Sequence, residues 1–251
     1  MQERLRAIPV SRRAARFRLE VAVVLLLAFL SAPAAAEKFD LSPYLGPPDT
    51  VGDFKVIELS TGDMMTLEVV AVAPEKNGYR VTTRVTQTGQ DPILGEGLVI
   101  PGKRIFLCDE HTAGLLIRFE KPLAIAKFKT EQGKLNKIHG SGRAFYEGTR
   151  VGNAAFGGSW VFVGLEPLET PVASYPETAV LRFLLTLTVK SRFNGSVLRA
   201  KEEWVGWHAP GIGQVAERYR ASFWVDGTLV HETDWIDEWL IDGSLGGEPI
   251  P

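Results

Sequence analysis

Leu181-Arg182-Phe183-Leu184-Leu185-Thr186-Leu187-Thr188-Val189-Lys190 decides the fold class of this 251-residue chain. Apolar side chains at 181, 183, 185, 187 and 189 alternate with polar ones at 182, 186, 188 and 190, broken only by Leu184. A period of two is the pattern of a strand with one buried face. Asn194-Gly195 follows, then a second strand-like run at 196–207. Asn-Gly supplies the two positive-φ residues of a type I′ hairpin turn. With a two-residue turn, Phe193 pairs with Ser196. That register sets Trp204 opposite Leu185 and Glu202 opposite Leu187, all facing inward, while Trp207 points outward beside Arg182.

The same signals recur on either side. Asn77-Gly78 separates runs at 66–73 and 79–88, and Asp226-Gly227 separates 214–225 from 228–241. If Val225 pairs with Thr228, then Trp224, Trp235, Trp239 and His231 share a face with Arg218 and Arg220, and Arg218 lies opposite Trp235. Shorter runs at 54–60, 104–108, 115–119, 124–130, 134–146 and 160–164 read as further strands. No long run has helical periodicity, and 15 prolines and 25 glycines fall at spacings that suit strands. The loosest stretches are 37–51, 89–97, 148–158 and 166–176. The expected fold is therefore all-β: a curved antiparallel sheet of roughly ten strands, forming a half-barrel or open barrel.

The N-terminus has the three parts of a secretory signal. Residues 1–20 carry six arginines, the run from Val21 to Leu30 is apolar, and Ala34-Ala35-Ala36 supplies small residues for cleavage. Ten apolar residues span only about 15 Å of helix, too short to cross a bilayer. The domain plan is a cleaved signal at 1–36, an extended segment at 37–51, one β-rich domain at 52–242 and a disordered tail at 243–251. The expected location is periplasmic or secreted, with no transmembrane segment in the mature chain. Without residues 1–36 the net charge goes from −2 to −6. That balance argues against nucleic acid as a partner, since its phosphates demand basic surface. Cys108 is the only cysteine, so no internal disulfide forms.

Several motifs carry less than they first suggest. Gly97-Leu98-Val99-Ile100-Pro101-Gly102-Lys103 spells most of a phosphate-binding loop, but Arg104 stands where Ser or Thr would hold magnesium, and a strand follows instead of a helix. Cys108-Asp109-Glu110-His111 offers metal-type side chains with no further ligand beside them; Asp109 and Glu110 read as a solvated turn after a strand ending at Cys108. No cofactor, metal or catalytic residue is expected. Five of the six tryptophans, Trp204, Trp207, Trp224, Trp235 and Trp239, follow residue 200. Such clusters belong to cores, to sugar platforms or to apolar cavities.

Trp207-His208-Ala209-Pro210-Gly211-Ile212-Gly213-Gln214-Val215 resembles the W-x-A-P-G-x-G-x-V turn of a group of exported bacterial proteins of unknown function. The resemblance covers roughly residues 165–241. Those proteins are in turn similar to the β half-barrel of periplasmic lipoprotein carrier and insertion proteins. The N-terminal half departs from the pattern: it lacks the aromatic G-x-x-W-x-Y opening, and Gly52-Asp53-Phe54-Lys55-Val56 is its nearest match. The resemblance implies a non-catalytic protein that binds a lipid or acyl chain in the cell envelope. Its ligand face would hold Trp204, Leu185, Phe183, Leu187 and Glu202. A structural module that docks an envelope protein partner is the alternative, and a glycan-active enzyme using Glu202 is the third reading.

Overall fold

The structure, a computed structural model, describes residues 38–46, 50–112 and 114–250. The signal segment lies outside the described residues. The described chain is all-β, with sixteen strands: β1 (Lys38–Asp40), β2 (Phe54–Leu59), β3 (Met64–Glu75), β4 (Gly78–Gln87), β5 (Ile93–Ile100), β6 (Arg104–Thr112), β7 (Leu115–Lys127), β8 (Lys129–Glu131), β9 (Asn136–Tyr146), β10 (Thr149–Glu169), β11 (Ser174–Ser191), β12 (Val197–Ala209), β13 (Gly213–Val225), β14 (Thr228–Glu232), β15 (Ile236–Leu245) and β16 (Glu248–Ile250). Consecutive strands pair antiparallel from β2 to β7 and, after β9 joins β7, on to β14.

The expected antiparallel sheet forms, and it closes. β15 pairs with β2 on one side and with residues 216–219 of β13 on the other, which completes a ring of twelve strands. Closure removes the edges that an open sheet would expose. β14 and β16 hang on the ring as short extra strands, while β1 and β8 form a separate two-stranded piece. The tail expected to be disordered from Gly243 instead turns through Gly246-Gly247, at φ +60 and +85, into β16. Asp53 Oδ1 accepts the Gly246 N–H at 2.7 Å, which ties that turn to the start of β2.

Alternation in β11 is as expected, with Leu181, Phe183, Leu185, Leu187 and Val189 all buried in one core. Asp226 and Gly227 take φ of +49 and +86, and Val225 pairs with Thr228, as a type I′ hairpin requires. The other two dipeptides behave differently. Lys190 pairs with Val197 and the Ser191 N–H donates to the Ser196 carbonyl, so a four-residue turn, 192–195, joins β11 to β12. At the third, Glu75 pairs with Gly78, so Gly78 lies inside β4. A Cβ there would run into the Val99 carbonyl, so that glycine serves close strand approach. The stretch 148–158, expected to be loose, lies from Thr149 on within the 21-residue β10. Lys103 caps the turn between β5 and β6, the strand connection expected for the phosphate-loop lookalike.

Candidate functional site

The interior carries an aromatic belt. Trp160, Phe183, Trp204 and Tyr219 are successive cross-strand partners on β10 to β13. Ring centroids lie 6.0 Å apart for Trp160–Phe183 and 6.2 Å for Phe183–Trp204. All four are buried. The five residues expected on the ligand face do share the inward side: Phe183, Leu185, Leu187 and Trp204 are buried, and Glu202 is half-buried. Their register is shifted by two residues from the expectation. Trp204 lies opposite Phe183, and Glu202 opposite Leu185, because four residues, 192–195, and not two turn the chain between Ser191 and Ser196, where the Ser191 N–H donates to the Ser196 carbonyl. An even shift keeps every side chain on its expected face. Thr112, from β6 on the far wall, donates to Glu202 Oε1 at 2.8 Å. Facing walls therefore meet at this level, and the ring is flattened.

One end of the barrel is plugged. Leu41, Tyr44 and Leu45 follow β1 and are buried in the main core. The Gly211 N–H at the β12–β13 corner donates to the Pro43 carbonyl at 2.7 Å. The resemblance-bearing segment thus holds the plug. Gly213, at φ +81, is a position where a side chain is strained, and it packs against the Gly46 carbonyl and Lys55 Nζ. Tyr44 Oη donates to Glu177, and burial first, then that carboxylate, push the phenol up to about 12.

A polar layer lies against this end inside the barrel. Lys55 is 2% exposed, and its Nζ donates to the Gln214 carbonyl at 3.0 Å. Gln214 Nε2 donates to Glu217 Oε2 at 2.9 Å. Glu217 faces Glu238 across the β13–β15 seam, and both are buried. Burial and the Lys55 charge push the His208 imidazole down to about 3, so it stays neutral. Gln87, facing inward opposite Met65, is buried with both amide atoms lacking a hydrogen-bond partner among the described residues.

The opposite end has no such plug among the described residues. Its connections are two to five residues long. Its rim exposes Phe193, Leu229, Val230 and Trp235. Tyr146, Val151 and Val225, partly buried against the main core, continue from the rim inward.

The remaining expected positions need correction in part. Trp207 and Trp239 do point outward, where Trp207 Nε1 donates to Glu166 at 2.7 Å and Trp239 Nε1 to Glu58 at 3.2 Å. Arg182 lies opposite Val205, so it is not the partner of Trp207. Arg218 meets Asp237 in a two-pronged contact at 2.5 and 3.1 Å, and Trp235 instead receives the Arg220 guanidinium over its ring at 4.9 Å. A bulge at Phe223/Trp224 turns His231 to stack on Phe223, and a further one-residue offset before β15 completes the two-residue shift at Arg218. Asp109 and Glu110 do not form a solvated turn: β6 continues through both to Thr112, and Glu110 is buried. Nothing in the sequence separates two acids in a turn from two acids that straddle a wall. Among the described residues no three His, Cys, Asp or Glu side chains gather as a metal site.

No family model matches the chain, and no curated protein matches it. Among solved structures, a candidate exported protein with a YmcC-like fold from Bacteroides fragilis superposes with a TM-score of 0.47 at 12% identity, covering 83% of this chain and 99% of that one. A candidate lipoprotein from Parabacteroides distasonis superposes with a TM-score of 0.42 at 14% identity, covering 81% and 97%.

Proposed function

We propose that this chain is a non-catalytic binding protein of the cell envelope that takes an apolar or amphipathic molecule, a lipid or acyl chain, at the unplugged end of its barrel. The carrying observation is the asymmetry of the two ends: one sealed by Leu41 to Leu45, the other rimmed by exposed Phe193, Leu229, Val230 and Trp235. A ring of twelve strands is wider than the eight-stranded ring that side chains alone fill, which supports an interior with room for a ligand. Phe183, Leu185, Leu187 and Trp204 would line the apolar part, and Glu202 would stand near its polar head. The basic-apolar-small pattern of residues 1–36 supports a periplasmic or secreted location.

Native mass spectrometry of the mature protein, with solvent extraction, tests the reading alongside titration of an environment-sensitive acyl probe. Wild type is expected to bind the probe saturably, and Trp204→Ala to keep its fold while losing at least about tenfold in affinity. No extractable lipid and no saturable binding would sink the proposal. Trp204 would then be plain core, with a cost of about 3–5 kcal/mol on truncation to alanine.

A second reading rests on the Thr112–Glu202 contact, which closes the interior at its level. In that case the partner is a protein segment added to β14, whose outer edge is unpaired among the described residues and whose Leu229 and Val230 are exposed. Photo-crosslinking from position 230 in intact cells distinguishes the two, because a lipid-filled barrel gives no discrete protein adduct there.

A further inference from the structure

The barrel wall is interrupted at one level. β6 and β7 pair Leu107 with Leu123 and Asp109 with Arg118, so four residues of β7, from Phe119 to Pro122, arch over Cys108 alone. The β5–β6 ladder stops at the same level, with Gly97 opposite Leu107. The next amide, that of Glu96, donates to Asp109 Oδ1 at 2.8 Å. A pocket of about 470 Å³ opens in the outer face there. Phe119 lines it, with its ring edge-on to Phe156 of the core at 5.4 Å. An excursion that gives up ladder hydrogen bonds to make a hollow is the kind of irregularity that marks a site.

Charges around the hollow are unevenly committed. Arg80 is fully engaged: Nη1 donates to Glu96 at 2.9 Å, and Nε and Nη2 donate to Glu75 at 3.1 and 3.0 Å. Arg118 is exposed, and its guanidinium rests over the Phe145 ring at 5.4 Å. Asp109 and Arg118 are direct cross-strand partners, yet they make no ion pair within 4.0 Å. Opposite charges at directly facing positions normally close on each other. Here the guanidinium turns to Phe145 of β9 instead. Burial pushes the Asp109 carboxyl up to about 6, so it is an anion at pH 7.5.

We propose that this pocket binds a small zwitterion, with the ligand's ammonium on Asp109, its anionic group on Arg118 and its apolar body against Phe119. The guanidinium offers a fork to a carboxylate or phosphate, and Asp109 offers the oxygen that the Glu96 amide leaves free. The site is on the outer wall and is independent of the barrel interior. Two sources share this chemistry: a free amino acid and a phosphoethanolamine headgroup.

Isothermal titration of the mature protein at pH 7.5 tests it, using L-phenylalanine and phosphoethanolamine as probes. The single-charge controls are 3-phenylpropionate and 2-phenylethylamine for the first, ethyl phosphate and ethylamine for the second. At least one zwitterion is expected to bind at least tenfold more tightly than both of its controls. Asp109→Asn, which keeps an acceptor for the Glu96 amide, and Arg118→Gln should each lose at least tenfold, with unchanged melting temperatures. Binding of L-phenylalanine alone assigns the amino-acid source, and binding of phosphoethanolamine alone assigns the headgroup. No saturable binding of either zwitterion, controls that bind equally well, or variants that bind like wild type would each overturn the proposal.

Discussion

At one end of the barrel Leu41, Tyr44 and Leu45 are buried beneath the β12–β13 corner; at the other, Phe193, Leu229, Val230 and Trp235 stand in solvent. Both ends are capped by hairpins, so turn chemistry does not explain the contrast. The plugged end spends apolar side chains on packing, backs them with the Lys55–Gln214–Glu217 hydrogen bonds and keeps His208 neutral. The unplugged end leaves comparable side chains without cover, as the plugged end also does at Leu135 and Val172, so the buried segment is what sets the two ends apart. Apolar surface that could be buried and is not is the more informative kind. If the proposed ligand enters at the unplugged end, stability and recognition are separated along the barrel axis.

The largest effect should come from the plug. Leu41 is fully buried, so Leu41→Ala is expected to destabilise by about 2–5 kcal/mol in urea unfolding. A loss under about 1 kcal/mol would mean that the plug is not part of the core.

Acid sharpens the same contrast. The native state holds His208 neutral down to about pH 3, whereas the unfolded chain takes up a proton near 6.5. Between those values the unfolded state binds more protons, so stability falls as pH drops, by about 1 kcal/mol per pH unit. Urea titrations at pH 6 and pH 4 should show this slope in wild type and a flatter one in His208→Gln. Parallel slopes would place His208 nearer to water than the plugged end implies.

At the unplugged end the hairpin turn comes next. Gly227 at φ +86 makes Gly227→Val costly by about 1–2 kcal/mol through backbone strain, measurable as a lowered melting temperature. The smallest effect belongs to the rim. Trp235→Ala should change stability by less than about 1 kcal/mol, since the side chain is exposed and its ring carries the Arg220 guanidinium at the surface, while acyl-probe affinity falls. Equal stability losses at Leu41 and Trp235 would erase the distinction between the ends.

Local pattern made part of this legible. The alternation from Leu181 to Val189 located the inward face, and Asp226-Gly227 located one turn to the residue. Registers were less secure, because Asn194-Gly195 can form a two-residue turn or sit in a four-residue one. The inward set survived since the shift was even. His231 did not survive, because a single-residue bulge at Phe223/Trp224 turns it over, whereas a further offset before β15 restores the expected face of Trp239. The plug was invisible for another reason. Its apolar residues are few and sit among turn formers, so only the three-dimensional fold shows what they cover. Closure was equally hidden: Leu59 and Glu238 pair across most of the chain, and no local signal records it. The same holds for the Asp109–Arg118 gap, since no local signal sends the Arg118 guanidinium to Phe145.

The closing strand also fixes an order of events. β15 joins β2 to β13, and it is the last member of the ring to be synthesised. A chain delivered N-terminus first therefore has β2 to β13 available as a sheet with two unpaired edges before residues 236–245 arrive. Long-range pairing of this kind is slow, in the range of about milliseconds to seconds, and open edges invite other chains in that interval. Pulse-labelled hydrogen exchange during refolding should find the amides of β15 and the seam-facing amides of β2 and β13 protected last. The barrel's most distant contact would then be its rate-limiting one.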